Sequence, residues 1–198
     1  MEPRQQAGLE LPRTDCDAGR RRCLLAGALL LAARPTLAAE TQAPGATAEP
    51  YIESLVPNAR PVGSARLTWF GLRIYDAVLF AGNGRYHPEQ PFVLQLTYAR
   101  DLIGQQIAER SIAEIEKQGG GTPQQRAQWL ATLRRLIPDV KQGDRLSGAH
   151  LGGQGLLLHN GARLGEIGDR QLTQAFFAIW LGERSSEPAM RARLLGAT

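Results

Sequence analysis

The sequence predicts an α+β protein, an open-faced sandwich in which helices cover one face of an antiparallel β-sheet. Three observations predict this class. Strand-like segments rich in β-branched and aromatic residues lie both before and after a central pair of helical segments. Asn160-Gly161 joins two of the later segments, and this dipeptide is typical of a two-residue hairpin between antiparallel strands. Strands and helices that occur in groups, rather than in strict alternation, favour α+β over α/β.

The first strands are predicted within residues 66–98. Residues 66–80 are densely apolar and interrupted at Gly71, which indicates either two short strands or one bent strand with a bulge at the glycine. In residues 91–98 (PFVLQLTY) apolar and polar side chains alternate, so this segment is predicted to be a half-buried strand. Its expected core face consists of Phe92, Leu94, Leu96 and Tyr98.

Two helices are predicted in the middle of the chain. The first spans residues 101–118, with Asp101 as its N-cap and the three glycines at 119–121 as its stop. The second begins with Thr122 as N-cap, Pro123 at the first helical position and Gln125 at the third, which is the pattern of a capping box. Pro138 is expected to follow its end.

The last third of the chain supplies the remaining strands and helices. Residues 145–151, 156–159 and 162–167 are predicted strands. Asp169 is the expected N-cap of a third helix that ends at Gly182. A short closing helix is predicted over residues 188–195.

The first 39 residues have the features of an export signal. Three consecutive arginines at 20–22 precede an apolar run at 23–33, and small residues follow at 36–39. The run is too short for a membrane span, which needs about 20 apolar residues. We therefore expect residues 1–39 to be a signal peptide, 40–50 a flexible leader and 51–198 one folded domain. The mature protein is expected to have no membrane span and to be periplasmic if the organism is Gram-negative.

Composition argues against several classes of function. Both cysteines, Cys16 and Cys23, lie in the predicted signal, so the mature chain is expected to have no thiol for a disulfide, a metal or a nucleophile. The three histidines do not have the spacing of a metal site, and no cofactor motif is present, so no metal and no cofactor are predicted. The formal net charge is +4 without a clustered basic face, so no nucleic-acid partner is predicted. Nothing in the sequence predicts an oligomeric state.

Several short motifs occur in one order along the chain. They are IYDAVL (74–79), YARD (98–101), IPDVKQGDRL (137–146), the Asn160-Gly161 hairpin, FFAIWLG (176–182) and a closing LLG (194–196). In this order they resemble the bacterial branch of the chalcone isomerase-like family, and the resemblance covers almost all of the chain after the predicted signal. It implies the same open-faced sandwich.

The resemblance also implies where catalytic groups would stand. Plant-type members close a chalcone to a flavanone, which requires a cation and hydrogen-bond donors around the developing enolate. Aligned with the family pattern, the arginine position is Leu67, the tyrosine position Ile107, the asparagine position Glu114 and the C-terminal hydroxyl position Ile179. Only the strand hydroxyl has a stand-in, Tyr75. Because isoleucine cannot donate a hydrogen bond, no catalytic residue and no isomerase activity are expected.

Non-catalytic relatives in this fold bind fatty acids through an arginine and tyrosines. By resemblance, Arg73, Tyr75, Ile107 and Glu114 are the predicted ligand-binding residues, with Arg73 and Tyr75 on one face of their strand. Alternatively, Arg73 is a surface residue and Tyr75 a core aromatic with its hydroxyl at the rim. Glu114 is expected to pair with Arg110, its i−4 neighbour, rather than to act as a base.

Three functions therefore remain open from the sequence. The first is an exported, non-catalytic protein that binds a small apolar or fatty-acid-like ligand between sheet and helices. The second is an isomerase-type enzyme of unknown substrate that uses Arg73, Tyr75 and Glu114 as polar groups. The third is a structural or partner-binding envelope protein without a ligand.

Overall fold

Six strands form one antiparallel sheet whose spatial order is the order of the chain. The computed structural model describes residues 47–197. The predicted signal, 1–39, and most of the predicted leader lie outside these residues. The strands are β1 (Ala59–Trp69), β2 (Leu72–Gly82), β3 (Phe92–Tyr98), β4 (Arg145–Leu151), β5 (Gln154–His159) and β6 (Ala162–Glu166).

Five helices complete the described part of the chain and confirm the α+β class. They are α1 (Pro50–Leu55), α2 (Gly104–Lys117), α3 (Pro123–Leu136), α4 (Arg170–Leu181) and α5 (Pro188–Leu194). The main hydrophobic core lies between one sheet face and helices α2 to α5. No helix within residues 47–197 is both long enough and apolar enough to cross a membrane.

Two-residue turns with positive φ close three hairpins of the described chain, including the one between β4 and β5 at Gly152-Gly153. Asn160 and Gly161 have φ of 50° and 85°, as the predicted type I′ turn requires. Phe70 and Gly71 have φ of 48° and 76° and join β1 to β2 in the same way. Of the two alternatives for residues 66–80, the structure therefore has two strands, and each is longer than expected because it continues past that segment.

The helix caps agree with the sequence pattern at α3 and α4 but not at α2. Thr122 and Gln125 form the predicted capping box. The Asp169 carboxylate accepts hydrogen bonds from two backbone N–H groups of α4. The prediction that Asp101 caps α2 is wrong: Ile103 is the N-cap residue, and Asp101 accepts hydrogen bonds from the backbone N–H of Gln142 and the ammonium of Lys141.

Part of the second sheet face is covered by α1. Ile52 and Val56 pack there against alternate residues of the inner strands, including Phe80 and Val93. Strand β3, predicted to be half-buried, is consequently buried on both faces. The segment that covers this face includes the end of the predicted leader, because the Glu49 carboxylate accepts a hydrogen bond from Gln95 of β3.

Candidate ligand cavity

A cavity of about 280 Å³ lies between the helix-covered face of the sheet and helices α2, α4 and α5. Strands β1 to β3 form its floor, and α2 runs along one side. Most of the lining side chains are apolar or aromatic. The lining residues are Leu67, Trp69, Ile74, Tyr75, Leu96, Tyr98, Leu102, Gln106, Ile107, Arg110, Ser111, Glu114, Ile137, Leu146, Phe176, Ile179, Trp180, Ser186, Glu187 and Met190.

A β-bulge in β2 decides which polar residues reach this cavity. Leu67 pairs with Tyr75, but the next residue of β1, Thr68, pairs with Arg73, so Ile74 is an extra residue without a partner in β1. One extra residue reverses the alternation of faces beyond it. Ile74 and Tyr75 therefore both line the cavity.

The prediction that Arg73 and Tyr75 share one face is wrong for this reason. Arg73 lies on the opposite face and donates to the carboxylate of Asp76. Arg66 pairs directly opposite Asp76 and donates to the same carboxylate at 2.8 Å. Arg73 is thus the surface residue that the alternative interpretation described.

Two tyrosines form the polar part of the floor. The Tyr75 hydroxyl accepts a hydrogen bond of 2.9 Å from the Trp180 indole. The Tyr98 ring packs edge-on against Tyr75, and the structure gives its hydroxyl no hydrogen bond within residues 47–197. Burial raises the pKa of Tyr75 to about 12 and raises the pKa of Tyr98 as well. Both hydroxyls are therefore neutral donors at physiological pH.

Glu114 lies at the wall of the cavity as an ion-paired carboxylate. Arg110 and Lys117 contact its Oε1 at 2.6 and 3.0 Å, and Ser186 donates to its Oε2 at 2.6 Å. Burial alone would raise the pKa of Glu114, but the hydrogen bonds and the two cations outweigh it and lower the pKa. The predicted pairing with Arg110 is confirmed.

Arg110 stands at the mouth of the cavity. It is about half exposed yet belongs to the lining, and its guanidinium lies 5.0 Å above the centre of the Trp69 ring. It is the one cation among the lining residues of the described chain. From the sequence, Arg110 was expected only to form an ion pair with Glu114. Its position three residues after Ile107, on the same helix face, was the signal that it lines the cavity.

Comparison with known sequences decides the family. The sequence profile of the chalcone isomerase-like family matches residues 81–196, which is more than half of the chain. The chain belongs to the chalcone isomerase-like family. No curated protein sequence matches this family member significantly.

A solved structure agrees with this membership at the level of the fold. A fatty-acid binding protein of Arabidopsis thaliana is 11% identical and superposes with a TM-score of 0.55. The match covers 76% of this chalcone isomerase-like chain and 95% of the plant protein. At this identity the likeness shows the shared fold.

The family positions assigned from the sequence all reach one cavity. All five residues line the cavity and come from four elements of secondary structure: Leu67, Tyr75, Ile107, Glu114 and Ile179. The positions that the sequence resemblance assigned to the catalytic groups therefore surround a single space. Three of the five side chains are aliphatic.

The chemistry available to this family member follows from those side chains. A general base works best when its pKa lies near the working pH, whereas the pKa of Glu114 is lowered and its oxygens are occupied. Tyr75 and Tyr98 can each donate a hydrogen bond to a bound ligand. Within residues 47–197 no group of three or more histidine, cysteine, aspartate or glutamate side chains is placed to hold a metal ion. The cavity is thus suited to holding an apolar molecule with one polar end.

Proposed function

We propose that this protein is a non-catalytic member of its family that binds a small, fatty-acid-like ligand in the cavity. The observation that carries the proposal is that the aliphatic side chains of Leu67, Ile107 and Ile179 line the cavity. By the resemblance described above, these are positions where catalytic members have polar groups. Such walls bind by excluding water and do not stabilise a developing charge. The fatty-acid binding function of the plant protein with the same fold supports this choice of ligand.

The expected orientation of the ligand follows from the charges. A hydrocarbon chain gains about 0.8 kcal/mol for each buried methylene, so it belongs against the aliphatic wall formed by Leu96, Ile107 and Ile179. A carboxylate belongs at the mouth, where Arg110 has N–H groups beyond the one that contacts Glu114. The cavity volume lies near the lower end of the roughly 300–1,000 Å³ of ligand pockets, so we expect a short or medium chain to fit best.

The test is a titration of the mature protein with saturated fatty acids of increasing chain length, followed by calorimetry. Ile107→Trp should fill the cavity and lower the affinity by at least about tenfold. Ile103→Trp is the matched control, because Ile103 precedes the same helix but is half exposed and outside the lining. Saturable binding that Ile107→Trp weakens and Ile103→Trp leaves unchanged supports the proposal. Absence of saturable binding, or equal effects of both variants, contradicts it.

We propose further that the protein acts after export. The arrangement of basic, apolar and small residues in 1–39 supports this location. Expressed in a Gram-negative host, the full chain should be recovered from the periplasmic fraction with a new N-terminus near residue 40. A chain lacking 1–39 should stay in the cytoplasm, and recovery of both chains from the cytoplasm contradicts export.

A further inference from the structure

The hairpin tip, residues 69–72, exposes three large apolar side chains. Trp69 is 47%, Phe70 90% and Leu72 53% exposed. Within residues 47–197 the only other large apolar side chain that is comparably exposed is Ile103. Scattered single apolar residues on a surface are ordinary, but three adjacent ones at a protruding turn mark an interaction site.

The backbone at the tip adds an independent observation. Phe70 has a φ of 48°, a conformation that is rare for a bulky residue and is usually left to Gly, Asn or Asp. The other two-residue turns of the sheet with positive φ have Asn160 and Gly152 at this position. The Phe70 ring makes an edge-on contact with the neighbouring Trp69 ring, but because Phe70 is 90% exposed this contact buries little of the side chain and offsets little of the strain. A residue that adopts an unfavourable backbone conformation without stabilising the fold indicates a functional role.

Arginines surround the tip on two sides. Arg66 and Arg73 lie behind it on the outer sheet face and share one carboxylate, that of Asp76. On the cavity side, Arg110 stacks over Trp69 and, together with Lys117, shares the carboxylate of Glu114. On the outer face two cations share one anion, so excess positive charge lies behind the tip on that side. On the cavity side Glu114 and Glu187 together offset the charges of Arg110 and Lys117.

We propose that the hairpin tip docks on a lipid bilayer that contains anionic headgroups. The apolar side chains enter the interface, and the arginines behind them contact the headgroups, which is the arrangement that interfacial anchors use. Trp69 belongs both to the tip and to the cavity lining. Docking therefore turns the mouth of the cavity toward the membrane, and an apolar ligand passes between them without crossing water. This last step rests on the proposed function, whereas docking itself does not.

A lipid surface fits the tip better than a second copy of the chain. Trp69 and Leu72 are already about half buried, so the three tip side chains can bury less than the roughly 600–800 Å² that each partner contributes to a stable interface. A protruding turn also needs a complementary recess in a protein partner, whereas a fluid interface accepts it without one.

The experiment measures co-sedimentation of the mature protein, without added ligand, with vesicles of phosphatidylethanolamine and phosphatidylglycerol. Phe70→Asn is the decisive variant. It should lower vesicle binding by about tenfold or more, since it removes the most exposed apolar side chain. It should not lower the unfolding midpoint, because asparagine suits the positive φ. Loss of binding therefore cannot be attributed to misfolding.

A location control uses Asn83, at the opposite end of β2. Asn83 is exposed, has a φ of 53° and precedes Gly84, as Phe70 precedes Gly71. The double variant Phe70→Asn/Asn83→Phe keeps one exposed phenylalanine at positive φ but moves it away from the cavity and from Arg66, Arg73 and Arg110. It should bind vesicles no better than Phe70→Asn. Recovery of binding in the double variant would overturn the proposal.

Three further outcomes separate the alternatives. Phosphatidylcholine vesicles should bind more weakly than anionic ones; equal binding would overturn the role of the arginines. Concentration-dependent dimerisation that Phe70→Asn abolishes, without vesicle binding by the natural chain, would overturn docking in favour of a second copy. Ile107→Trp should retain vesicle binding, so failure of fatty-acid binding and failure of docking are distinguishable.

Discussion

The indole Nε1 of Trp180 donates a hydrogen bond of 2.9 Å to the hydroxyl of Tyr75, although the two residues lie 105 positions apart. Both side chains are buried, and the bond joins α4 to the bulged end of β2. This hydrogen bond joins the sheet that forms the floor of the cavity to helix α4, which forms part of its wall. The shape offered to a ligand therefore depends on a contact that forms only when the sheet and α4 have docked.

Tyr75→Phe should lower the free energy of unfolding by about 1–3 kcal/mol, because the buried Trp180 N–H loses its acceptor. Urea denaturation measures the change. Tyr98→Phe is the matched control, since the Tyr98 ring packs beside Tyr75 but its hydroxyl has no hydrogen bond within the described residues. The control should change stability by less than about 0.5 kcal/mol. Equal losses in the two variants would show that the bond is unimportant.

Gly63→Ala should lower the free energy of unfolding by about 3 kcal/mol. A Cβ at Gly63 would lie 2.0 Å from the carbonyl oxygen of Arg193 and 2.7 Å from that of Leu194, and backbone cannot move aside as a flexible side chain can. Gly82→Ala is the control on the neighbouring strand, where the nearest atom is 3.6 Å away. Thermal unfolding compares the two variants, and a stable Gly63→Ala protein would mean that α5 is not held against β1.

Acid should weaken the fold through Asp144. A hydrogen bond from Asn160, the backbone N–H of Lys141 and the neighbouring His159 lower the pKa of Asp144 to about 2. The folded chain then binds fewer protons than the unfolded chain, where the carboxyl has a pKa near 3.8. Its contribution is complete above about pH 4 and is lost as the pH falls toward about 2.

Urea unfolding at a series of pH values measures this effect. Asp144→Asn should be less stable than the natural chain near neutral pH, and the difference should shrink over that acidic range. The comparison isolates one group from the other carboxylates whose pKa is lowered. A difference that stays constant with pH would contradict the assigned shift.

The charge at the mouth should select for carboxylates. Arg110→Met should weaken binding of a fatty acid by about tenfold, because a charge-assisted hydrogen bond is lost. Arg110→Met should leave the affinity for the fatty alcohol of the same chain length unchanged. Arg73→Met is the control, since Arg73 lies on the opposite sheet face and pairs with Asp76. Calorimetry gives both affinities. An equal effect of the two variants, or no preference for the acid in the natural chain, would place the polar end elsewhere.

The purified protein should not accelerate ring closure of a hydroxychalcone above the rate in buffer. Ile107 and Ile179 line the cavity and offer no proton donor to the developing enolate. The loss of visible absorbance of the chalcone follows the reaction, with a plant-type chalcone isomerase as positive control. Acceleration that Tyr75→Phe abolishes would show that one hydroxyl suffices for catalysis.

Local chemistry explains why much of the fold was predictable from the sequence. The Asn160-Gly161 turn, the capping box at Thr122 and the cap at Asp169 are formed by neighbours in sequence, so their patterns predicted them correctly. Asp101 resembled a cap equally well. It bonds instead to Lys141 and Gln142, about forty residues away, and no local pattern contains such a contact.

The site was predictable in part. Tyr75, Ile107 and Glu114 reach the cavity because the regular spacing of a helix and the pairing with Leu67 place them there. Arg73 was misplaced because a bulge depends on how two strands pair, and no glycine marks its position at Ile74. The burial of both faces of β3 was missed because the helix at residues 50–55 is too short to show a clear period.

The unpaired Ile74 also bears on how this architecture can diverge. One codon inserted between Leu67 and Thr68 would give Ile74 a partner and restore regular alternation up to the turn. Thr68 and Arg73 would then face inward, and Trp69 would leave the cavity wall. A single insertion would thus replace the Trp69 indole in the cavity wall by the Arg73 guanidinium. Relatives that differ by one residue in this hairpin should therefore bind different ligands.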